Sequence, residues 1–222
     1  MIILVTGCQH CGTTILQKLI GSAEGVFYVQ HELSKPEHVD TVILPENYSF
    51  VVVKNPDFLN ECYIKYKGMK NLKVVSIVRD PRDVYLSLCE RWGPVFNWEI
   101  FKHMWIPYCS NVVKFSFEPN GYMLRYEDMF DSDHMTIKNL FNWIGIPFDE
   151  EILENKKTVM LNDYTAPNDR PPRTEQLQFR LWQIHQPFEQ KSGRWKTVMS
   201  EETLKLFDEP EIKILMNAFG YD

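Results

Sequence analysis

The chain has 222 residues, enough for one well-cored domain and too few for two ordinary domains with a linker. With 44% hydrophobic and 24% charged residues it reads as globular, and a net charge of −6 argues against a nucleic-acid binder, which would carry a basic stripe. Any phosphate it grips must therefore be held by a few local groups rather than by a general positive field.

No stretch approaches the roughly 18 apolar residues of a membrane span. The opening Met1-Ile2-Ile3-Leu4-Val5-Thr6-Gly7 lacks the basic flank and cleavage site of a signal peptide. Together with five cysteines, an odd number, this predicts a reduced, cytoplasmic setting.

The first run, Ile2–Thr6, is short and β-branched and predicts a buried strand. It leads into Gly7-Cys8-Gln9-His10-Cys11-Gly12-Thr13-Thr14, then a helix whose apolar face is Ile15, Leu16, Leu19 and Ile20. A strand, a G-x-x-x-x-G loop and a helix in that order make a phosphate-binding loop. The glycines let backbone N–H groups wrap an anion, and the helix N-terminus adds partial positive charge. The alternative is a plain tight turn before a helix. Cys8 and Cys11 form a C-x-x-C, which elsewhere signals redox or metal chemistry, but here no second pair accompanies it. A nucleoside-triphosphate loop has Lys before its final Ser/Thr, and here Thr13 stands there. The loop is thus expected to hold one phosphate with its attached group, not a triphosphate with Mg²⁺.

A weaker strand is expected at Val26–Gln30, with His31 and Glu32 just beyond it, and a third at Phe50–Lys54, ending in Lys54-Asn55-Pro56. The fourth, Lys73–Val78, ends in Arg79-Asp80-Pro81-Arg82-Asp83-Val84-Tyr85-Leu86-Ser87. Asp80 as N-cap, Pro81 at N1 and Asp83 at N3 announce a helix. Arg79 then sits at a strand end and Ser87 two turns into the helix, so a guanidinium and a hydroxyl can bracket a second phosphate. The alternative for Arg79 is an ion pair with Asp83 or Asp128. Between Arg91 and Cys109 stand Trp92, Phe96, Trp98, Phe101, Trp105 and Tyr108. They read as core packing first and as a ring-stacking surface for a substrate second.

A fifth strand is expected at Gly121–Arg125, then a helix with Ser132 as N-cap and Gly145 closing it. From about 161 to 194 the pattern turns polar and proline-rich, which predicts a long lid loop. Two short helices follow, starting near Ser200 and Pro210, the second capped by Gly220. Strands alternating with helices predict an α/β fold: a single three-layer α/β/α domain over residues 1–222, its central sheet mainly parallel, like the P-loop nucleotide hydrolases. Ligands of such sheets bind at the carboxyl ends of the strands.

At this point the motifs resemble those of sulfotransferases that use the donor PAPS (3′-phosphoadenosine 5′-phosphosulfate). The run His10-Cys11-Gly12-Thr13-Thr14 resembles their 5′-phosphosulfate loop, usually Lys or Arg followed by Ser-Gly-Thr-Thr. Arg79 to Ser87 resembles their 3′-phosphate motif, Tyr126-Glu127-Asp128 their Tyr-Glu-Asp segment beside the adenine, and Gly193-Arg194-Trp195-Lys196 their late Gly-x-Trp-Lys/Arg element. The resemblance implies donor contacts from His10, Cys11, Gly12, Thr13, Thr14, Arg79, Ser87, Tyr126, Lys191, Ser192, Gly193 and Arg194. The sequence departs from the pattern at His10, at Cys11, at Ile15 (often an adenine-stacking Trp) and at Pro56, where cytosolic members carry a catalytic His. The Lys-x-Pro form is closer to the bacterial and Golgi-type branches, where a carboxylate is usually the base.

The implied reaction moves a sulfuryl group from PAPS to a hydroxyl or amine, in line, with positioning and charge stabilisation dominant. Glu32 is the candidate base, within a residue of the catalytic Glu of tyrosylprotein sulfotransferases, and His31 is the alternative. Lys54 is placed to stabilise the transferring group. His10 stands where the family's cation stabilises the leaving oxygen, and only a protonated ring would do the same. No metal is required. The acceptor is expected to be a small molecule or a carbohydrate, with neither nucleic acid nor membrane as partner; the base, the acceptor and the oligomeric state stay open at this level. Two other readings compete: a P-loop kinase with Asp80 as metal ligand, and a non-catalytic nucleotide-binding relative.

Overall fold

Five short runs become five parallel strands in a computed structural model that describes residues 1–33, 35–57, 60–154, 178, 182 and 189–222. They are β1 (Ile2–Gly7), β2 (Val26–Glu32), β3 (Phe50–Asn55), β4 (Leu72–Val78) and β5 (Gly121–Arg125), in the order β2-β3-β1-β4-β5. The central strand β1 pairs with β3 from Ile2↔Val51 to Thr6↔Asn55, and with β4 from Ile2↔Leu72 to Gly7↔Ile77. Ile3, Leu4, Val5, Val51, Val52, Val53, Val74, Val75 and Ile77 are all fully buried. Such unbroken apolar runs belong to strands covered on both faces, which is why they do not alternate with polar residues.

The chain leaves β1 for the far edge at β2, returns through β3, and then crosses β1 to reach β4 and β5. That reversal opens a crevice at the carboxyl ends of β1, β3 and β4. The helices of the described residues are α1 (Thr13–Gly21), α2 (Asn60–Tyr66), α3 (Pro81–Trp92), α4 (Trp98–Phe115), α5 (Met135–Ile144), α6 (Glu151–Glu154), α7 (Trp195–Val198), α8 (Glu201–Leu206) and α9 (Pro210–Ala218). Among the described residues no helix is long and apolar enough to cross a membrane.

The aromatic run resolves mostly into core. Trp98, Phe101, Trp105 and Tyr108 are buried on one side of α4, with Trp98 and Phe101 stacked at 5.2 Å and Tyr85 and Phe207 packed edge-on against them. Trp92, at the end of α3, is the exception at 48% exposed.

Three local expectations need correcting. Strand β2 runs on to Glu32, so His31 and Glu32 lie within it rather than beyond it. Helix α5 starts at Met135 behind His134 in the left-handed region (φ 53°), not at a Ser132 cap. There the Asp131 carboxylate, not Ser132, accepts from Thr136 N–H and Oγ1–H at 3.0 Å each. The short helix α7 was not foreseen. Gly145 does close α5, at φ 84°, with Ile146 N–H donating back to the Phe141 carbonyl. Of the expected lid loop at about 161–194, residues 161–177, 179–181 and 183–188 lie outside the described residues.

Candidate active site

The loop from Gly7 to Thr14, the candidate phosphate loop, is shaped by its glycines. Gly7 has φ 149°, and a Cβ there would lie 2.3 Å from the Ile77 carbonyl oxygen. Gly12, at φ 98°, is the N-cap of α1, and a Cβ there would lie 2.6 Å from the Tyr126 ring. Between them His10 also takes a left-handed backbone (φ 64°), a region histidine visits more readily than most residues. Helix α1 then starts at Thr13 and turns its first N–H groups and partial positive charge toward the crevice.

The two cysteines of the loop point inward. Cys8 and Cys11 are fully buried, and Cys11 N–H donates to the Cys8 carbonyl at 3.2 Å, closing a turn. Burial, with Cys11 as hydrogen-bonding neighbour, pushes the Cys8 thiol up. The C-x-x-C is therefore packed in the core as thiols, and none of the five cysteines is in a disulfide. Among the described residues no three His, Cys, Asp or Glu side chains are grouped as metal ligands would be.

On the β3 side of the crevice Lys54 is buried at the strand end and is not a surface lysine. Its Nζ lies 2.7 Å from Glu32 Oε1 and donates to Thr14 Oγ1 at 2.8 Å. The pairing of Glu32 with Lys54 across β2 and β3 follows a register break after Tyr28. That break brings the Glu32 carboxylate, about a quarter exposed, over the crevice. His31 is exposed, and the lysine is bonded to its neighbour Glu32.

On the β4 side Arg79 emerges as the strand ends. It donates from Nη1 to the His10 carbonyl at 3.1 Å and from Nη2 to the Lys191 carbonyl, and its guanidinium stacks over the Tyr126 ring at 4.7 Å. The ion pair considered from the sequence is not formed: Asp83 is bonded to backbone N–H groups and Asp128 faces Arg125. Arg79 Nε is buried without a partner among the described residues, an unsatisfied donor of the kind an anion would meet. Ser87 Oγ is 2.7 Å from His10 Nδ1, and Arg91 Nη1 is 3.5 Å from His10 Nε2.

Tyr126 is buried beneath this corner and joins its parts. Its ring packs on Gly12 and under Arg79, and its hydroxyl accepts from Lys191 N–H at 3.2 Å. Burial pushes its phenol up, with Arg79 pulling the other way, so it stays protonated near neutral pH.

The C-terminal segment is pinned to the start of α3. Asp83 accepts from Gly193 N–H at 2.5 Å and from Trp195 N–H at 3.2 Å. Asp80 accepts from Trp195 Nε1–H at 3.0 Å while Arg82 lies flat on the indole at 3.8 Å. Arg194 pairs with Glu90 on α3, and Ser192 lies between, half-buried. Both Asp80 oxygens are engaged by Arg82 and Trp195, so the carboxylate that the kinase reading gave to a metal holds the start of α3 to the C-terminal segment instead.

The structure thus gathers two corners, Glu32–Lys54–Thr14 and Arg79–His10–Ser87, around one loop. Sequence reasoning missed Arg91 and the Asp83 and Trp195 pins. Arg91 was findable: it lies four residues after Ser87, on the same face of α3.

A parallel five-stranded sheet flanked by helices, with a glycine-bounded loop, a strand-end arginine and a helix serine beside it, defines a P-loop-like α/β protein. The comparisons narrow it. The family model for the sulfotransferase domain matches residues 2–211, and the chain belongs to that family. Among solved structures it is similar to the sulfotransferase domain of the curacin biosynthetic pathway, with a TM-score of 0.70 and 16% identity over 100% of this chain and 98% of that one. It is also similar to the sulfotransferase domain of the Synechococcus PCC 7002 olefin synthase, with a TM-score of 0.72 and 15% identity over 100% and 94% of the two chains. A mouse sulfotransferase, SULT7A1, complexed with PAP, matches with a TM-score of 0.60 and 17% identity over 97% of this chain and 83% of that one. A search of curated proteins by sequence gave no match.

Proposed function

We propose that this protein transfers the sulfuryl group of PAPS to a hydroxyl of a small-molecule or carbohydrate acceptor, releasing PAP (3′,5′-adenosine bisphosphate). The observation that carries this reading is the bridge made by Lys54 between the Glu32 carboxylate and Thr14 of the phosphate loop. It puts a base, a cation and the anion-binding loop on one point of the crevice. The residues fit the donor: Gly12 lets the loop lie close against the Tyr126 ring, where a side chain would clash, and Arg79 keeps a buried donor unsatisfied among the described residues. The mouse structure with PAP shares the fold, which supports the same choice of nucleotide.

When bound, PAPS supplies an activated sulfuryl group, the bond to its 5′-phosphate being the one that breaks. Glu32 accepts the proton of the incoming hydroxyl. Lys54 and Thr14 donate toward the oxygens that gain charge, and being fixed in place they need no reorganisation. Arg79 and Ser87 hold the 3′ phosphate, and the segment Lys191–Arg194 closes on the same corner. The carboxylate base and the Lys54-Asn55-Pro56 form agree with a bacterial or Golgi-type member. Five cysteines held as thiols suit a reducing compartment such as the cytoplasm.

Calorimetric titration with PAP, AMP and ATP–Mg²⁺, followed by turnover of labelled PAPS across an acceptor panel, tests the reading. PAP is expected to bind well ahead of AMP, and Arg79→Ala to abolish that difference. Equal binding of AMP and PAP by the wild-type protein would remove the 3′-phosphate site, and tight ATP–Mg²⁺ binding would restore the kinase.

A further inference from the structure

Arg79 is fixed at its root as well as at its tip. The ladder between β4 and β5 ends where Tyr126 N–H donates to the Val78 carbonyl at 2.7 Å. In a parallel ladder the next bond would run from Asp80 N–H to the Tyr126 carbonyl. That carbonyl instead accepts from Met129 N–H at 3.3 Å, because the chain bends into a short 3₁₀ turn at Glu127–Phe130. The Glu127 carboxylate takes its place, and Oε1 accepts from Asp80 N–H at 3.1 Å. Both peptide planes that flank the Arg79 Cα are therefore held, one by Tyr126 and one by Glu127. The other carboxylate oxygen, Oε2, accepts from Tyr221 O–H at 2.6 Å. Tyr221 follows α9 and is buried, with the Arg125 guanidinium over its ring at 4.5 Å and Arg125 Nη1 donating to the Gly220 carbonyl at 3.2 Å. Burial, with Glu127 beside it, pushes the Tyr221 phenol up, so it remains a donor. Tyr126 thus faces the nucleotide corner while its two neighbours, Arg125 and Glu127, hold Tyr221.

We propose that Glu127 is a positioning residue for Arg79 and that Tyr221 holds Glu127 in place, so that a residue beyond α9 sets how well the donor's 3′ phosphate is bound. A guanidinium meets a phosphate as a rigid fork, so its grip depends on where the side chain starts as well as on its charge. The carbonyls that receive the Arg79 tip, those of His10 and Lys191, lie outside helix and strand, whereas the Glu127 bond fixes the strand end itself. Losing the carboxylate frees the Arg79–Asp80 peptide plane to rotate and takes the acceptor from Asp80 N–H. It also takes the acceptor from the Tyr221 hydroxyl. This role of Glu127 rests on the assignment of the 3′ phosphate to Arg79 made above.

The test is calorimetric titration of wild type, Glu127→Ala, Glu127→Gln, Tyr221→Phe and Glu127→Ala/Tyr221→Phe with PAP and with AMP, which lacks the 3′ phosphate, below the melting transition of each. Glu127→Ala is expected to weaken PAP about tenfold, the loss of one hydrogen bond to a charged group, with AMP within about twofold of wild type. Glu127→Gln, whose amide oxygen can still accept from Asp80 N–H, should recover most of that loss. Tyr221→Phe should weaken PAP about threefold and leave AMP unchanged, and in the Glu127→Ala background it should have no further effect. Equal losses for PAP and AMP, a lower melting temperature with the PAP preference intact, or additive losses in the double variant would overturn the positioning role. If Glu127→Ala does not fold, Tyr221→Phe decides: a PAP preference equal to that of wild type overturns the role, and one cut about threefold supports it. If wild type fails to prefer PAP over AMP, the 3′-phosphate site itself falls and this role with it. A preference that Arg79→Ala abolishes and Glu127→Ala leaves intact removes the role of Glu127 alone.

Discussion

Glu32 Oε1 lies 2.7 Å from Lys54 Nζ, and the same ammonium donates to Thr14 at 2.8 Å, so an edge-strand carboxylate and the phosphate loop share one buried cation. Glu32→Gln keeps the shape and removes the base. Its kcat is expected to fall about 10²–10⁴-fold with PAP affinity nearly unchanged, as read by turnover and calorimetry. His31→Ala, on the exposed neighbour, should leave kcat close to wild type. A reversal of those two results would move the base to His31. Lys54→Met is a different lesion, because it removes the cation that the partly buried Glu32 carboxylate and Thr14 share. Glu32 still reaches water, so the loss of stability should sit at or below the low end of the range for broken buried pairs, about 1–3 kcal/mol by chemical denaturation.

Most of the sheet was legible because the central strands β1, β3 and β4 are buried on both faces and leave continuous apolar runs. The ends were less so: β2 continues past Gln30 through polar His31 and Glu32 because its partner Lys54 supplies a bonding reason that no local pattern shows. Arg79 and Ser87 could be placed from the punctuation Asp80-Pro81 alone. Arg91 could be placed on the same face one turn past Ser87, but its contact with His10 depends on how closely α3 approaches the loop. Ser132 failed as a cap because Asp131, one residue earlier, holds the Thr136 N–H.

Gly12 is expected to tolerate nothing larger. A Cβ would fall 2.6 Å from the Tyr126 ring, at a φ of 98° that disfavours any side chain. Gly12→Ala should lower the melting temperature and abolish PAP binding, whereas Gly25→Ala, whose Cβ meets nothing within 4 Å but shares a positive φ, should lose stability alone. Retained PAP affinity in Gly12→Ala would show that the loop does not need this close approach.

The pins made by Asp83 should be visible in hydrogen exchange. With its carboxylate accepting from Gly193 and Trp195, those two amides are expected to exchange slowly. Asp83→Ala should speed both and weaken PAP binding, because the Lys191–Arg194 segment is no longer held beside Arg79. Asp83→Asn keeps one acceptor oxygen and should fall between. Unchanged exchange in Asp83→Ala would mean the segment is fixed by other contacts, Trp195 on Asp80 foremost.

The thiols offer a check on the loop's C-x-x-C. Cys8 and Cys11 are fully buried, and burial pushes the Cys8 and Cys109 thiols up, so neither is a ready nucleophile. Cys89 is half-buried on α3 and is the most accessible of the five. Alkylation of the native protein at pH 8, read by peptide mass, is expected to label Cys89 first and to spare Cys8, Cys11 and Cys109 until unfolding. Early labelling of Cys8 or Cys11, or formation of a disulfide between them under mild oxidant, would reopen a redox role.

Lys18 on α1 is the clearest case of a group the fold holds at a cost. It is 7% exposed, and burial lowers its ammonium from 10.5 to about 8. Its folded pKa lies below its unfolded one, so between about pH 8 and 10.5 the unfolded chain binds more protons than the native protein. This group's contribution to stability therefore rises as pH rises through that window, and its cost is greatest below about pH 8, where both states carry the charge. Lys18→Met keeps the length of the side chain and removes the charge. Its melting temperature should exceed that of wild type at pH 7, and the gap should narrow steadily toward pH 10, other titrations cancelling between the two proteins. A gap that stays constant with pH would show that Lys18 reaches water in the native state and that burial does not act on its charge.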